Sequence, residues 1–202
     1  MTDTQDTPLL EVKDLRVEIS TKAGTFYPVN GHNFSLNKGE TLGIVGESGS
    51  GKSMTATTLV RLLPKHAATI KSGSVKLEGR ELLDLSEAEM RKVRGSEIAM
   101  ILQDPQTSLN PSFTVGDQIS EAFRLHAPGP KKTMRDRAID ALRKVKVAAP
   151  EHRVDCYPNE LSGGMRQRVV GAIAISCEPK IIIADEPTTA LDVTIQAQIL
   201  SL

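Results

Sequence analysis

The chain of 202 residues is poor in aromatics: four Phe, two Tyr and no Trp, 3% in all. A protein that grips single-stranded nucleic acid by base stacking needs more rings than that. Neither sign of charge is in excess, with 25 Lys plus Arg against 25 Asp plus Glu, so no basic field argues for a nucleic-acid partner. Only two cysteines occur, Cys156 and Cys177, with no CxxC pair. This argues against a disulfide scaffold or a zinc site and fits a reducing compartment, each cysteine serving as a small half-buried residue. No apolar run approaches the ~18 residues of a membrane-spanning helix. The start, MTDTQDTPLL, lacks the basic-then-apolar order of a secretion signal and reads as a short disordered tail.

What is present is long enough to bury a substantial core. In LLEVKDLRVEI, Leu15, Val17 and Ile19 alternate with charge, the pattern of a half-buried strand. FSLNKGETLGIVG predicts a turn at Asn37, Lys38 and Gly39 and then a strand from Thr41 to Val45, apolar enough to be covered on both faces. A helix is expected from Lys52 to Leu63, stopped by Pro64. GSVKLEGREL reads as a hairpin turning at Gly79, and Ser86 with Glu89 as a capping box. IAMILQ (98–103) and KIIIADE (180–186) are further buried strands. Between them, TVGDQISEAFRLH sets Val115, Ile119 and Phe123 on one helical face. After the linker HAPGPKK, a second helix repeats Met134, Ala138, Leu142 and Val145. The basic residues of that second helix read as a solvated face. Buried strands alternating with helices imply a parallel α/β sheet, with a helical block over 104–160 inserted into it.

GESGSGKS, comprising Gly46, Glu47, Ser48, Gly49, Ser50, Gly51, Lys52 and Ser53, fits the phosphate-loop pattern G-x-x-x-x-G-K-[ST]. Glycines let successive N–H groups curl around a phosphate, and the helix that follows adds a partial positive charge. Lys52 can reach the β- and γ-phosphates, and the Ser53 hydroxyl can ligate Mg²⁺. In IIIADE, Asp185 ends a strand where it can hold Mg²⁺, and Glu186 beside it can polarise a water as general base. Gln103 ends the 98–103 strand, where its amide can touch Mg²⁺ or the attacking water. Ser162, Gly163 and Gly164, in ELSGGMRQRVV, form a second helix N-terminus suited to an anion, with Met165, Val169 and Ile173 as the buried stripe. Either this loop caps its own helix or it binds the phosphate of a nucleotide held elsewhere.

In this order the motifs resemble the nucleotide-binding subunit of an ABC transporter: Walker A (GESGSGKS), Q-loop (Gln103), signature (LSGGM, Leu161–Met165), Walker B (IIIADE) and D-loop (Ala190, Leu191, Asp192). The resemblance covers residues 9 to 202. It implies an α/β P-loop NTPase (RecA-like) core with an N-terminal antiparallel β subdomain and an inserted α-helical subdomain. The division is 9–103 and 166–202 for core plus β subdomain, and 104–165 for the helical subdomain. It further implies ATP and Mg²⁺ as cofactors, with Glu186 and Gln103 catalytic. Walker A, the signature residues and Asp192 would bind nucleotide, and Ser53, Gln103 and Asp185 the metal. In that family two subunits pair head to tail, as homo- or heterodimer, so Ser162, Gly163 and Gly164 serve the partner's γ-phosphate. The other implied partners are transmembrane permease subunits and, indirectly, an extracytoplasmic solute-binding protein, at the cytoplasmic face of the inner membrane. No nucleic acid is implied. QDPQTSLNPSFTVGDQI and IADEPTTALDVTIQAQI are similar to the peptide/nickel importer branch, and TSLNPSFTVGDQI is the expected docking face.

The chain departs from the family in two places. Where the family stacks adenine on an aromatic residue stands Ile19, with Phe26 and Tyr27 further along. The switch histidine expected after Walker B has no counterpart: His32, His66, His126 and His152 all precede it. The final strands are also missing, and TIQAQILSL reads as a helix cut off mid-domain. The expectation is therefore a C-terminally truncated piece of an importer ATPase. The alternatives are a non-catalytic nucleotide-binding fragment, or a soluble ABC ATPase of DNA repair or translation.

Overall fold

The alternation in the first strand is real but changes parity halfway. β1 (Leu10–Thr21) buries Leu10 and Val12, then Leu15 and Val17. The extra residue is taken up at a bulge, where Asp14 has φ 44° and the pairing shifts between Val12 and Leu15. The bulge returns the apolar side chains to the same face. Opposite it, Gly73 has φ 110°, and a Cβ there would lie 2.6 Å from Leu15 Cα, so only glycine fits. β1 is flanked antiparallel by β2 (Gly24–Leu36) and β3 (Ala68–Leu77), and β4 (Arg80–Glu81) completes a four-stranded sheet in the order β2-β1-β3-β4. The expected hairpin is present. Glu78 and Gly79 both take positive φ, as the twist-matched two-residue turn requires.

The computed structural model describes residues 7–22, 24–64, 66–102, 108–128 and 130–186. The tail, Gln103, Asp192 and the expected helix TIQAQILSL lie outside the described residues. The chain divides into two units, 1–91 and 92–202.

In the first unit, α1 (Lys52–Leu59) stops short of the expected Leu63. Arg61 adopts φ 53°, Leu62 N–H donates to Thr57 O at 2.8 Å, and Arg61 N–H donates to Thr58 O at 2.9 Å. This is a Schellman stop built on arginine rather than glycine. The Arg61 guanidinium donates to the carbonyls of Leu82 and Leu85, which holds the residue in a backbone region it would otherwise avoid. α2 (Glu87–Val93) opens with the expected capping box: Glu89 N–H donates to Ser86 Oγ at 3.3 Å, and Ser86 N–H donates to Glu89 Oε2 at 2.8 Å. The expected strand from Thr41 to Val45 does not form. Among the described residues they join no ladder, Leu42 and Ile44 are exposed, and Val45 is 93% exposed. A parallel strand is buried only with neighbouring strands and helices on both faces, and the sheet of this unit is antiparallel.

The second unit pairs β5 (Ile98–Ile101) with β6 (Ile181–Ala184) in parallel, Ile98 opposite Ile181 and Ile101 opposite Ala184. The crossover carries α3 (Val115–His126), α4 (Lys131–Lys144), the short α5 (Pro150–Arg153), a 3₁₀ turn (Pro158–Glu160) and α6 (Gly163–Ile175). The helical stripes pack as read. Val115, Ile119, Phe123, Met134, Ala138, Leu142, Val145 and Val169 share one core. The charged face of α4 is solvated and carries surface pairs such as Arg135 with Asp155 and Arg143 with Glu151. β6 is less enclosed than expected: Ile181 is buried, whereas Ile182 and Ala184 are exposed. A parallel strand is buried only where other elements pack on both of its faces.

Candidate functional site

The phosphate-loop residues Gly46 to Ser53 lead directly into α1. Gly51, the residue before the helix, has φ 94°, and Gly49 has φ 82°. A Cβ at Gly51 would lie 2.0 Å from Pro28 O, so strand β2 presses on the loop and admits no side chain. A Cβ on Gly46 would lie 2.6 Å from Ser50 Oγ. The glycines thus shape a cradle that side chains would fill. Lys52 Nζ donates to Gly46 O at 2.8 Å and Glu47 O at 3.0 Å, folding the ammonium over the loop. Behind it, the buried Thr55 donates to Gly51 O at 2.9 Å and contacts His32 Nδ1 at 3.1 Å. The Thr55 proton is committed to Gly51, so His32 Nδ1 is the donor. Small-molecule sites occupy about 300–1,000 Å³, and a cavity of ≈ 600 Å³ lies here, bordered by His32, Ile44, Gly46, Ser50, Lys52 and Thr55.

Ile19 and Phe26 lie opposite each other on β1 and β2, hence on one face of the sheet. Phe26 and Tyr27 are each 50% exposed. The Tyr27 hydroxyl donates to Glu18 Oε2 at 2.9 Å, and Lys71 pairs with Glu18 at 2.8 Å. The hydrogen bonds from Lys71 and then Tyr27 hold the Glu18 carboxyl below its usual range, while the bond to Glu18 raises the Tyr27 hydroxyl. Tyr27 is therefore committed to this network.

In the second unit, Asp185 and Glu186 follow β6 directly, and Asp185 N–H extends the ladder to Ile101 O at 2.9 Å. Glu186 has φ 46°, a region costly for a non-glycine residue and found preferentially at functional sites. Ser162 caps α6 by accepting from Met165 N–H at 3.4 Å, with Leu161 buried below it. Of the two readings of this loop, self-capping is thus realised. Gly163 nevertheless stands open: among the described residues, a Cβ there would meet no atom within 4 Å outside its own helix backbone. Met165 and Ile173 pack on the edge of the core and Val169 inside it. Arg166 Nε donates to Pro158 O at 2.7 Å, tying the helix to the turn before it. The phosphate loop belongs to the first unit, and the acids and signature loop to the second.

The family model described as ABC transporter matches residues 29–189. The chain belongs to the ABC transporter family. It is 54% identical over 196 residues to the oligopeptide transport ATP-binding protein OppD of Bacillus subtilis, covering 97% of this chain and 55% of that protein. It is 50% identical to the dipeptide transport ATP-binding protein DppD of Escherichia coli, covering 96% and 59%. The chain thus spans a little over half the length of these curated relatives. Among solved structures, the dimeric ATP-binding cassette MJ0796 bound to ADP and Pi superposes with a TM-score of 0.83 at 28% identity, covering 95% of this chain and 80% of that one. cbiO1 from Clostridium perfringens gives 0.78 at 28% identity, covering 96% and 72%. The P-loop NTPase fold expected from the motifs is the fold of these ABC cassettes.

Among the described residues of this ABC chain, no helix is long and apolar enough to cross a membrane, and no cluster of three His, Cys, Asp or Glu forms a metal site. Ser53 in the first unit and Asp185 in the second each carry an oxygen donor of the kind a hard cation such as Mg²⁺ takes. Three contributors escaped the motif reading. Pro28 and His32 shape the phosphate loop from β2, and Gln118 closes the turn at Asn110. Pro28 acts through its backbone carbonyl against Gly51 and His32 through its ring on the Thr55 hydroxyl, contacts that no spacing encodes. Gln118 could have been suspected from the Asn-Pro turn just ahead of a capped helix.

Proposed function

We propose that the protein is the ATP-binding and ATP-hydrolysing subunit of an importer of di- or oligopeptides. The observation that supports this best is the identity of 50–54% to peptide-transport ATP-binding proteins across 96–97% of the chain. It spans Walker A, signature and Walker B together. Gly46, Glu47, Ser48, Gly49, Ser50 and Gly51 cradle the phosphates, and Lys52 neutralises the β- and γ-oxygens. Ser53, Gln103 and Asp185 would hold Mg²⁺, which when bound supplies charge neutralisation at the transferring phosphoryl group. Glu186 accepts a proton from the attacking water, and Asp192 would contribute to nucleotide binding. Ser162, Gly163 and Gly164 face the phosphate loop of a second ABC subunit, head to tail. The core (9–103 with 166–202) and the helical subdomain (104–165) then close on nucleotide. Phe113, 53% exposed, marks the face that meets the permease subunits at the cytoplasmic side of the inner membrane.

Steady-state ATP turnover tests this reading. Glu186→Gln is expected to lower it by roughly 10²–10⁴-fold while ATP still binds, and Lys52→Ala to weaken binding itself. Turnover that survives Glu186→Gln removes Glu186 from the chemistry.

A further inference from the structure

The turn that presents Phe113 is closed by a single amide. Leu109 and Val115, on either side of the turn, are buried in the core, whereas Phe113 between them points to solvent. Asn110, Pro111, Ser112 and Phe113 form a β-turn: Phe113 N–H reaches Asn110 O at 3.4 Å, and Ser112 N–H reaches Asn110 Oδ1 at 3.0 Å. From the first turn of α3, Gln118 Oε1 accepts from Asn110 N–H at 2.9 Å. Its Nε2 donates to Asn110 O at 3.0 Å and Phe113 O at 3.1 Å, with Thr114 O at 3.5 Å. The amide orientation is dictated, because its oxygen faces an N–H and its nitrogen faces only carbonyls. The helix below is independently fixed by Thr114 and Asp117, which cap each other at 3.1 and 3.4 Å.

We propose that Gln118 is a positioning residue for partner docking: it holds the 110–114 turn in the one arrangement that offers the Phe113 ring to the permease subunits. This rests on the docking reading above. The helix needs no such residue, since its own cap is complete, and the Gln118 bonds run to the turn. What they supply is preorganisation. A turn that spends only a tenth of its time in the presenting arrangement binds about tenfold more weakly.

The test measures affinity of the protein for the membrane-spanning permease subunits of a peptide importer from the same organism, held in lipid nanodiscs, with thermal unfolding followed in the same samples. Gln118→Ala is expected to weaken binding by about tenfold. Gln118→Glu keeps the acceptor but loses both donors and is expected to do at least as much harm. In a Phe113→Ala background, Gln118→Ala should add almost nothing, because its effect passes through that ring. Amide exchange of Ser112 and Phe113 should quicken in Gln118→Ala. Unchanged exchange, unchanged affinity, or an equal loss with and without Phe113 overturns the positioning role. If Phe113→Asp leaves binding intact, the docking reading itself fails, and the role assigned to Gln118 falls with it.

Discussion

Two glycine-bearing loops each open a helix in this protein, and they are built in opposite ways. At α1 the residue before the helix is Gly51, left-handed, with no side-chain cap and a strand carbonyl pressed against it. At α6 it is Ser162, extended, with its own hydroxyl on Met165 N–H and open space around Gly163. The first glycine is demanded by its own unit. The second is not demanded by anything in its own chain among the described residues. A loop that must shape itself around phosphate needs its form built in. On the proposed reading the second loop serves another subunit's nucleotide, so it needs only to be approachable, and it can meanwhile satisfy its helix with its own serine.

Substituting the two glycines tests this contrast most strongly. Gly51→Ala combines positive φ with a clash on Pro28 O, and about 3 kcal/mol of stability should be lost. Gly163→Ala should leave stability unchanged or raise it by up to about 1 kcal/mol, because alanine suits a helix better. Yet it should depress turnover in the assembled dimer. Denaturant melts beside turnover assays decide the matter, and equal destabilisation by both would dissolve the contrast. Next in size, Ser162→Ala should cost about 1 kcal/mol through the lost cap. Ser162→Asp should keep the cap and, on the proposed reading, lower turnover by placing a carboxylate against the phosphate held by a second subunit. If Ser162→Asp turns over ATP normally, the loop is a cap and nothing more.

The smallest effect concerns the first unit alone. Burial pushes the Glu81 carboxyl up, but hydrogen bonds from Ser74, Val75 and Leu83 outweigh it and hold it below the usual carboxylate range. The native carboxyl therefore binds its proton less readily than the unfolded one. Its contribution is present above the range in which the unfolded carboxyl titrates and is lost as pH falls through the lowered native value. Acid unfolding curves of Glu81→Gln should be shallower in that window, while an unchanged acid limb would show that these hydrogen bonds hold nothing.

Much of the site was legible because phosphate binding leaves a local signature: glycines, a lysine and a hydroxyl at fixed spacing before a helix. The helical stripes of α3 and α4 were legible for the same reason, since their period is written in consecutive turns. The strand at Thr41 to Val45 was not. An apolar run states that burial is wanted, but not which neighbours supply it, and Val45 is exposed. The parity change at Asp14 was hidden because Leu15, Val17 and Ile19 alternate correctly by themselves. Only the pairing with β2 and β3 shows that Val12 belongs to the same face. The early stop of α1 was hidden because Arg61 takes a glycine-like conformation that carbonyls far along the chain sustain.

By itself the sequence determined the family, through short motifs in a fixed order, and the capping box of α2. Each motif rests on groups within a few residues of one another. Tertiary structure alone decided that Pro28 forbids a side chain at Gly51, that Gly163 stays open, and that Gln118 closes the turn below Phe113. Those are contacts between backbone and side-chain atoms brought together by folding. Their energies depend on distances of a few tenths of an ångström that residue order does not specify.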